Sequence, residues 1–362
     1  MGKMLNSSDK DKSVKQIIEE IKHYIDAKGF NYEENLIENF YLGLLTKPFV
    51  ILAGISGTGK TKLVRLFAEA VGAEYSLVSV RPDWSDSSDL FGHTDINGEF
   101  RRGAVIDFLK AANDDPNKPY ILCLDEMNLA RVEYYMSDIL SVLETRVLDG
   151  DGNIKTDVLV SKDYCRGIDG RNLYGELRFP QNLFIVGTVN MDETTFPFSK
   201  KVLDRANTIE FSYVDLLAMP SFEKEKLQKI ELSDGFLKAR YITLNDCDIT
   251  DRDYITGICT YLGRINAILK RANAHIGYRV RDEIAFYMLY NRRFNLLEEK
   301  TAFDNQIMQK ILPRIQGSGE SVRTMLEELK KLCESEKYLA STEKIGFMLK
   351  RYEEDGFTSY WL

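Results

Sequence analysis

Residues 54–61 read Gly54-Ile55-Ser56-Gly57-Thr58-Gly59-Lys60-Thr61, a complete G-x-x-x-x-G-K-[ST] pattern. Glycines at these spacings let the backbone curl until successive N–H groups face one anion. A helix starting at Lys60 would add its positive end to the same charge. The Lys60 ammonium would reach the β- and γ-phosphates of a nucleotide, and the Thr61 hydroxyl would bind Mg²⁺. Gly54, Ser56, Gly57, Thr58, Gly59, Lys60 and Thr61 are therefore the candidate triphosphate ligands. The pattern also has the context this chemistry needs: a short apolar run, PFVILAG at 48–54, precedes it and an amphipathic stretch, 60–72, follows.

A second constellation ends another apolar run: Leu122-Cys123-Leu124-Asp125-Glu126. Adjacent carboxylates repel unless a cation or a reaction uses them. Asp125 is expected to hold Mg²⁺ and Glu126 to orient and activate an attacking water. Asn190 closes the apolar run Val186-Gly187-Thr188-Val189, where its amide would meet that water or the terminal phosphate; a turn-forming Asn after a strand is the plain alternative. Arg205, in Lys200-Lys201-Val202-Leu203-Asp204-Arg205, is a candidate for a guanidinium inserted into a neighbouring subunit's site to meet the charge of phosphoryl transfer. An arginine at a helix end is as readily a solvated surface group. Arg279, in Gly277-Tyr278-Arg279-Val280-Arg281, lies nearest the glycine that opens a helix and could touch the γ-phosphate; a charged helix face is the competing view.

The elements that must position these residues follow from periodicity. Apolar runs at 48–54, 75–80, 120–126, 183–188 and 207–211 read as strands and alternate with helical patterns, which implies a parallel sheet covered on both faces. Residues 128–146 read as one helix, and 147–180, rich in Gly and Asp, as an inserted β-hairpin. Its charges nearly balance, so partner contact is the better expectation than nucleic acid. The β-runs largely stop near 213. The expected organisation is a helical N-terminal segment at 1–47, an α/β nucleotide-binding domain at 48–212, and a mainly helical lid at 213–362.

Three stretches together resemble a known family: the phosphate loop, L-D-E-M-N-L-A-R-V-E-Y-Y, and G-T-V-N-M-D-E-T-T-F-P-F-S-K-K-V-L-D-R. They look like the AAA+ domain of McrB-type restriction proteins, with MoxR-like and dynein-related AAA domains next nearest. R-P-D-W-S-D-S-S-D-L-F-G and G-Y-R-V-R-D-E-I are similar too. The resemblance implies a five-stranded AAA+ P-loop core of order 5-1-4-3-2, an inserted hairpin and a C-terminal helical lid. It implies a homo-oligomer, often a hexameric ring, with nucleotide between subunits. Asn190 takes the first sensor position, Arg205 the arginine-finger position and Arg279 the second sensor position. McrB proteins use GTP with an Asn-Thr-Ala-Asp motif; the matching Asn190-Met191-Asp192-Glu193 departs from it, so ATP is expected here, with GTP the alternative. The implied role is the motor of a restriction or defence complex, with an McrC-like nuclease as partner and DNA reached through the complex. A MoxR-like chaperone remodelling a protein partner is the other reading.

Composition fits this. Of 362 residues, 48 are Lys or Arg and 56 Asp or Glu, a net charge of −8, which argues against a whole-surface nucleic-acid binder. About 47 residues precede the first strand, too few for a standard DNA-reading domain. The five cysteines form no C-x-x-C pair and the three histidines are dispersed, so a reducing cytoplasm and no zinc site are expected. No export signal or membrane span is apparent. Trp84 reads as a satellite core residue rather than a subunit anchor, Lys200 and Lys201 as solvated, and Cys165 as exposed.

Overall fold

The computed structural model describes residues 12–165, 168–191, 195–211, 214, 216–217, 230–233 and 235–361. The polar start at 1–11, the start of the expected lid at Tyr213, and Arg166, Asp192 and Glu193 lie outside them.

Five strands form the central sheet: β1 (Phe49–Gly54), β2 (Glu74–Ser79), β3 (Tyr120–Asp125), β4 (Leu183–Asn190) and β5 (Asn207–Glu210). All neighbours are parallel, and the order across the sheet is β5-β1-β4-β3-β2, the expected 5-1-4-3-2. The register sets Gly54 beside Asn190 and Leu124 beside Gly187, so the phosphate loop, the paired acids and Asn190 all leave the same edge of the sheet.

β1, β3 and most of β4 are apolar and buried because each face is covered, whereas the edge strand β2, Glu74–Ser79, is partly exposed. Side chains alternate between faces. Val50, Leu52, Ile121, Cys123 and Val186 enter one core, which holds α1 (Val14–Ala27), α2 (Leu36–Thr46) and α3 (Lys60–Ala70). Phe49, Ile51, Leu122, Leu124 and Ile185 enter the other, with α4 (Ile106–Asp114) and the short helices 132–135 and 137–142. α1 starts on a capping box: the Ser13 hydroxyl accepts from Gln16 N at 3.3 Å, and the Gln16 side chain accepts from Ser13 N at 2.9 Å. Its Ile17, Ile18, Ile21 and Ile25 form the buried stripe.

The first core runs on into the C-terminal helices α5 (Arg252–Leu269), α6 (Tyr278–Phe294), α7 (Glu299–Gln306), α8 (Glu320–Glu336) and α9 (Leu339–Asp355). The Tyr287 hydroxyl on α6 donates to Asn39 Oδ1 on α2 at 2.7 Å, and Tyr41 on α2 stacks on Phe236 at 4.5 Å between ring centroids.

Three expectations change. The single helix over 128–146 is broken into 3₁₀ turns at 127–129 and 143–145 and helices at 132–135 and 137–142. Ala130 is extended, and the Tyr135 hydroxyl folds back to donate to Met127 O at 2.8 Å. The insert at 147–180 is not one hairpin. It holds two small ribbons, 147–148 with 154–155 and 158–160 with 177–178, and a helix at 168–174. Cys165 is fully buried rather than exposed. Trp84 does pack as a satellite of the second core, edge-on to Tyr135 at 5.3 Å.

Candidate functional site

The phosphate loop joins β1 to α3. Gly57 and Gly59 have φ of +80° and +92°, the left-handed region that side chains with a Cβ rarely adopt. Gly54 has a different reason to be glycine: a Cβ there would lie 2.1 Å from Phe211 O. The loop is braced from both sides. Thr58 Oγ1 donates to Ile55 O at 3.0 Å, and the Tyr32 hydroxyl donates to Gly59 O at 3.2 Å. Burial holds the Tyr32 phenol well above its ordinary titration range. Lys60, almost fully buried, runs under the loop and donates to Gly54 O at 3.1 Å and Ile55 O at 2.6 Å. Ser56 stands at the exposed crest.

Beside the loop a chain of hydrogen bonds links three strands' ends. Asp125 Oδ1 accepts from Thr61 Oγ1 at 2.6 Å and from Thr188 Oγ1 at 2.7 Å. Thr188 Oγ1 in turn accepts from Glu126 N at 3.0 Å, and Asn190 Nδ2 donates to Glu126 Oε1 at 3.2 Å. Glu126 itself is left-handed, with φ +51° and ψ +48°, a conformation that costs a residue with a Cβ about 1–3 kcal/mol. The bond from its N–H to Thr188 helps offset that and turns the carboxylate out of the line of β3. Thr188 and Asn190, two residues apart on β4, share a face.

These residues suit a magnesium-bound triphosphate. The loop supplies a nest of N–H groups at a helix start. Thr61 and Asp125 offer a hydroxyl and a carboxylate oxygen 2.6 Å apart, the hard oxygen donors Mg²⁺ takes, and substrate phosphates commonly supply the rest of its shell. Among the described residues no group of three or more His, Cys, Asp or Glu is placed to hold a metal by itself.

Arg205 and Arg279 are brought together, but not at the phosphate loop of their own chain. Both pair with Glu144: Arg205 Nε at 3.1 Å from Oε1, and Arg279 with Oε2. Lys47 Nζ is 3.9 Å from the same carboxylate. Lys47 enters β1, whereas Gly54 leaves it, and that extended run covers on the order of 20 Å at about 3.3 Å per residue. The arginines therefore sit toward the end of β1 opposite the phosphate loop. Arg205 also donates to Leu140 O and Lys201 O, each at 2.8 Å, and burial lowers its titration range. Lys200 and Lys201 are exposed, as expected.

Below this cluster lies a buried charge group that sequence did not single out. Glu283 on α6 accepts from Lys47 Nζ at 2.9 Å and Lys310 Nζ at 2.6 Å. Burial would raise its titration, but the two ammonium groups outweigh that and bring it down to about 2. Lys47 is lowered to about 8 by burial, with Arg146 and Lys310 nearby working against the pull of Glu283. Thr188 and Glu144 were also missed. The signal for Thr188 was its period-two spacing from Asn190; Glu144 carried none.

A parallel 5-1-4-3-2 sheet with a glycine-rich loop between its first strand and the helix that follows it, facing an Asp-Glu pair, is an AAA+ P-loop fold. Residues 49–205 match the family described as AAA domain (dynein-related subfamily). Residues 226–357 match a domain of unknown function (DUF8727). Among curated proteins the chain is similar to the Type IV methyl-directed restriction enzyme EcoKMcrB subunit of Escherichia coli (strain K12). The two are 23% identical over 287 residues, which cover 77% of this chain and 54% of that protein. It is similar to the Lon protease of Lachnoclostridium phytofermentans, 28% identical over 202 residues, covering 55% of this chain and 22% of that one. A shorter stretch of 51 residues is 39% identical to Chaperone MoxR1 of Mycobacterium tuberculosis, 14% of each chain. The chain thus spans about half the length of the first of these relatives and about a fifth of the second. No helix among the described residues is long and apolar enough to cross a membrane.

Proposed function

We propose that this protein is a ring-forming nucleoside triphosphatase that binds and hydrolyses ATP with Mg²⁺, and serves as the motor of an McrBC-like complex. The observation that carries the reading is the hydrogen-bonded run Thr61–Asp125–Thr188–Glu126–Asn190 beside the loop of Lys60.

In this reading residues 48–212 hold the nucleotide and 213–362 act as a lid. Loop N–H groups and Lys60 bind the phosphates. Thr61 and Asp125 hold Mg²⁺, whose charge draws electron density from the terminal phosphate. Glu126 accepts a proton from the attacking water as its oxygen bonds to the γ-phosphorus and the bond to the β-phosphate oxygen breaks. Asn190 keeps the Glu126 carboxylate aimed at that water. Arg205, remote from its own loop, completes the site of the next subunit in the ring, where its guanidinium meets the developing charge. Arg279, beside it, belongs to the same shared surface.

The similarity to the EcoKMcrB subunit favours a cytoplasmic homo-oligomer, a hexamer in this reading, working with a separate McrC-like nuclease on DNA. The match to Chaperone MoxR1 supports a second reading, in which the ring remodels a protein partner. Steady-state hydrolysis of ATP and GTP side by side, with mass measured in each nucleotide, tests the proposal. Turnover with assembly is expected. A monomer that hydrolyses neither nucleotide would defeat it. Nuclease activity appearing on co-expression with an adjacent nuclease subunit separates the motor from the chaperone.

A further inference from the structure

The two arginines that face away from their own nucleotide site converge on one carboxylate, and hydrolysis as described gives that carboxylate no task. Glu144 sits in the turn Leu143–Thr145 that ends the broken helical run. Arg205 is 13% exposed and held on three sides: by Glu144, by Leu140 O and by Lys201 O. Arg279 opens α6 and is 40% exposed, so one residue of the pair is anchored and the other leads to the surface. A guanidinium tethered at its Nε edge keeps a fixed plane, and fixed donors stabilise developing charge better than donors that must be ordered during the reaction.

We propose that Glu144 is a positioning residue for hydrolysis in the neighbouring subunit: it fixes Arg205 and joins it to Arg279, so that the lid helix α6 and the inserted arginine move as one. This rests on the reading that Arg205 completes a partner's site. Glu144 touches no nucleotide of its own chain, since the phosphate loop lies at the other end of β1. A carboxylate that only stabilises its own subunit's fold would give a different result in mixed rings, and that difference is the test.

Glu144→Ala and Glu144→Gln are made in the full chain, checked for folding by thermal melting, and assayed for kcat and KM alone and mixed with Lys60→Ala. Arg205→Ala mixed with Lys60→Ala is the control. A Lys60→Ala chain has a damaged loop but intact arginines, so it can serve the sound loop of a neighbour whose arginine side is damaged. Glu144→Ala is expected to lose about 10- to 100-fold in kcat, the loss typical of a catalytic group displaced by about 1 Å, with KM within about 2-fold of wild type. Glu144→Gln, which keeps the size and polarity of the side chain but not the charge, is expected to lose less. Mixing with Lys60→Ala should restore turnover to either Glu144 variant, and mixing with Arg205→Ala should not. Rescue of Arg205→Ala but not of the Glu144 variants, or a kcat within 2-fold of wild type in Glu144→Ala, overturns the role of Glu144 alone. Absence of rescue in the control overturns the shared site on which it rests.

Discussion

Replacing Glu283 by Gln should cost about 3 kcal/mol at neutral pH. The carboxylate is buried on α6 and accepts from Lys47 at 2.9 Å and Lys310 at 2.6 Å; Lys310 also donates to Ala206 O at 2.8 Å. The group thus ties α6 to the entry of β1 and to the turn before β5. Its fall from an ordinary 4.5 to about 2, at about 1.4 kcal/mol for each pH unit, corresponds to about 3 kcal/mol. The sign follows from proton counts. Between pH 4.5 and 2 the unfolded chain holds a proton there that the folded chain does not, so this stability is full above 4.5 and is lost as pH falls toward 2. Lys47 works the other way at alkaline pH. Its folded value of about 8 lies below 10.5, so the unfolded chain holds the extra proton between those values and stability rises with pH across them. The two ammonium groups bring Glu283 down against its burial, whereas burial brings Lys47 down against the pull of Glu283. Urea unfolding followed by Trp84 and Trp361 fluorescence, at steps from pH 7 to 3.5, measures the effect. The gap between wild type and Glu283→Gln should be about 3 kcal/mol at pH 7 and about 1 kcal/mol narrower at pH 3.5. A deficit under about 1 kcal/mol at pH 7, or a gap that does not change with pH, would refute the shared-carboxylate account.

Two further predictions concern the site and the strand that carries it. Thr188→Val removes the hydroxyl that donates to Asp125 and accepts from Glu126 N. It should lower kcat about 10- to 100-fold while leaving nucleotide affinity nearly intact, with Thr188→Ser recovering most of the loss; an unchanged kcat in Thr188→Val would remove Thr188 from the site. Gly187→Ala sets a Cβ 1.9 Å from Met127 Sδ, so thermal melting should show a loss of about 1–3 kcal/mol from overpacking, and a variant as stable as wild type would mean that Met127 swings clear without cost.

The sheet was legible because β1, β3 and β4 are largely continuous apolar runs ending in Gly54, Asp125 and Asn190, and such runs have few alternatives when helical patterns separate them. The phosphate loop was legible because Gly57 and Gly59 stand where only glycine is comfortable. Other features were hidden for physical reasons. Nothing in the word Asp-Glu announces that Glu126 adopts a left-handed backbone; that depends on Thr188, sixty-two residues later, accepting its N–H. A threonine in a strand reads first as a good β-former. The run 128–146 is rich in helix formers, yet Ala130 is extended and Tyr135 reaches back to Met127, a tertiary demand that local propensity does not record. The insert's Gly and Asp residues marked turns but not how many, so two ribbons and a helix were read as one hairpin. Arg279 was placed by its nearness to a helix start. Where that start lies relative to the nucleotide is decided by packing between α6 and α2, which no short motif contains.

The central claim is that Glu126 removes the proton from water at a phosphate held by the loop of Lys60. Glu126→Gln, compared with wild type for nucleotide binding at equilibrium and for phosphate release at steady state, tests it most directly. The account predicts binding close to wild type with turnover reduced at least about 100-fold. Glu126→Gln turning over nucleotide at the wild-type rate would contradict it.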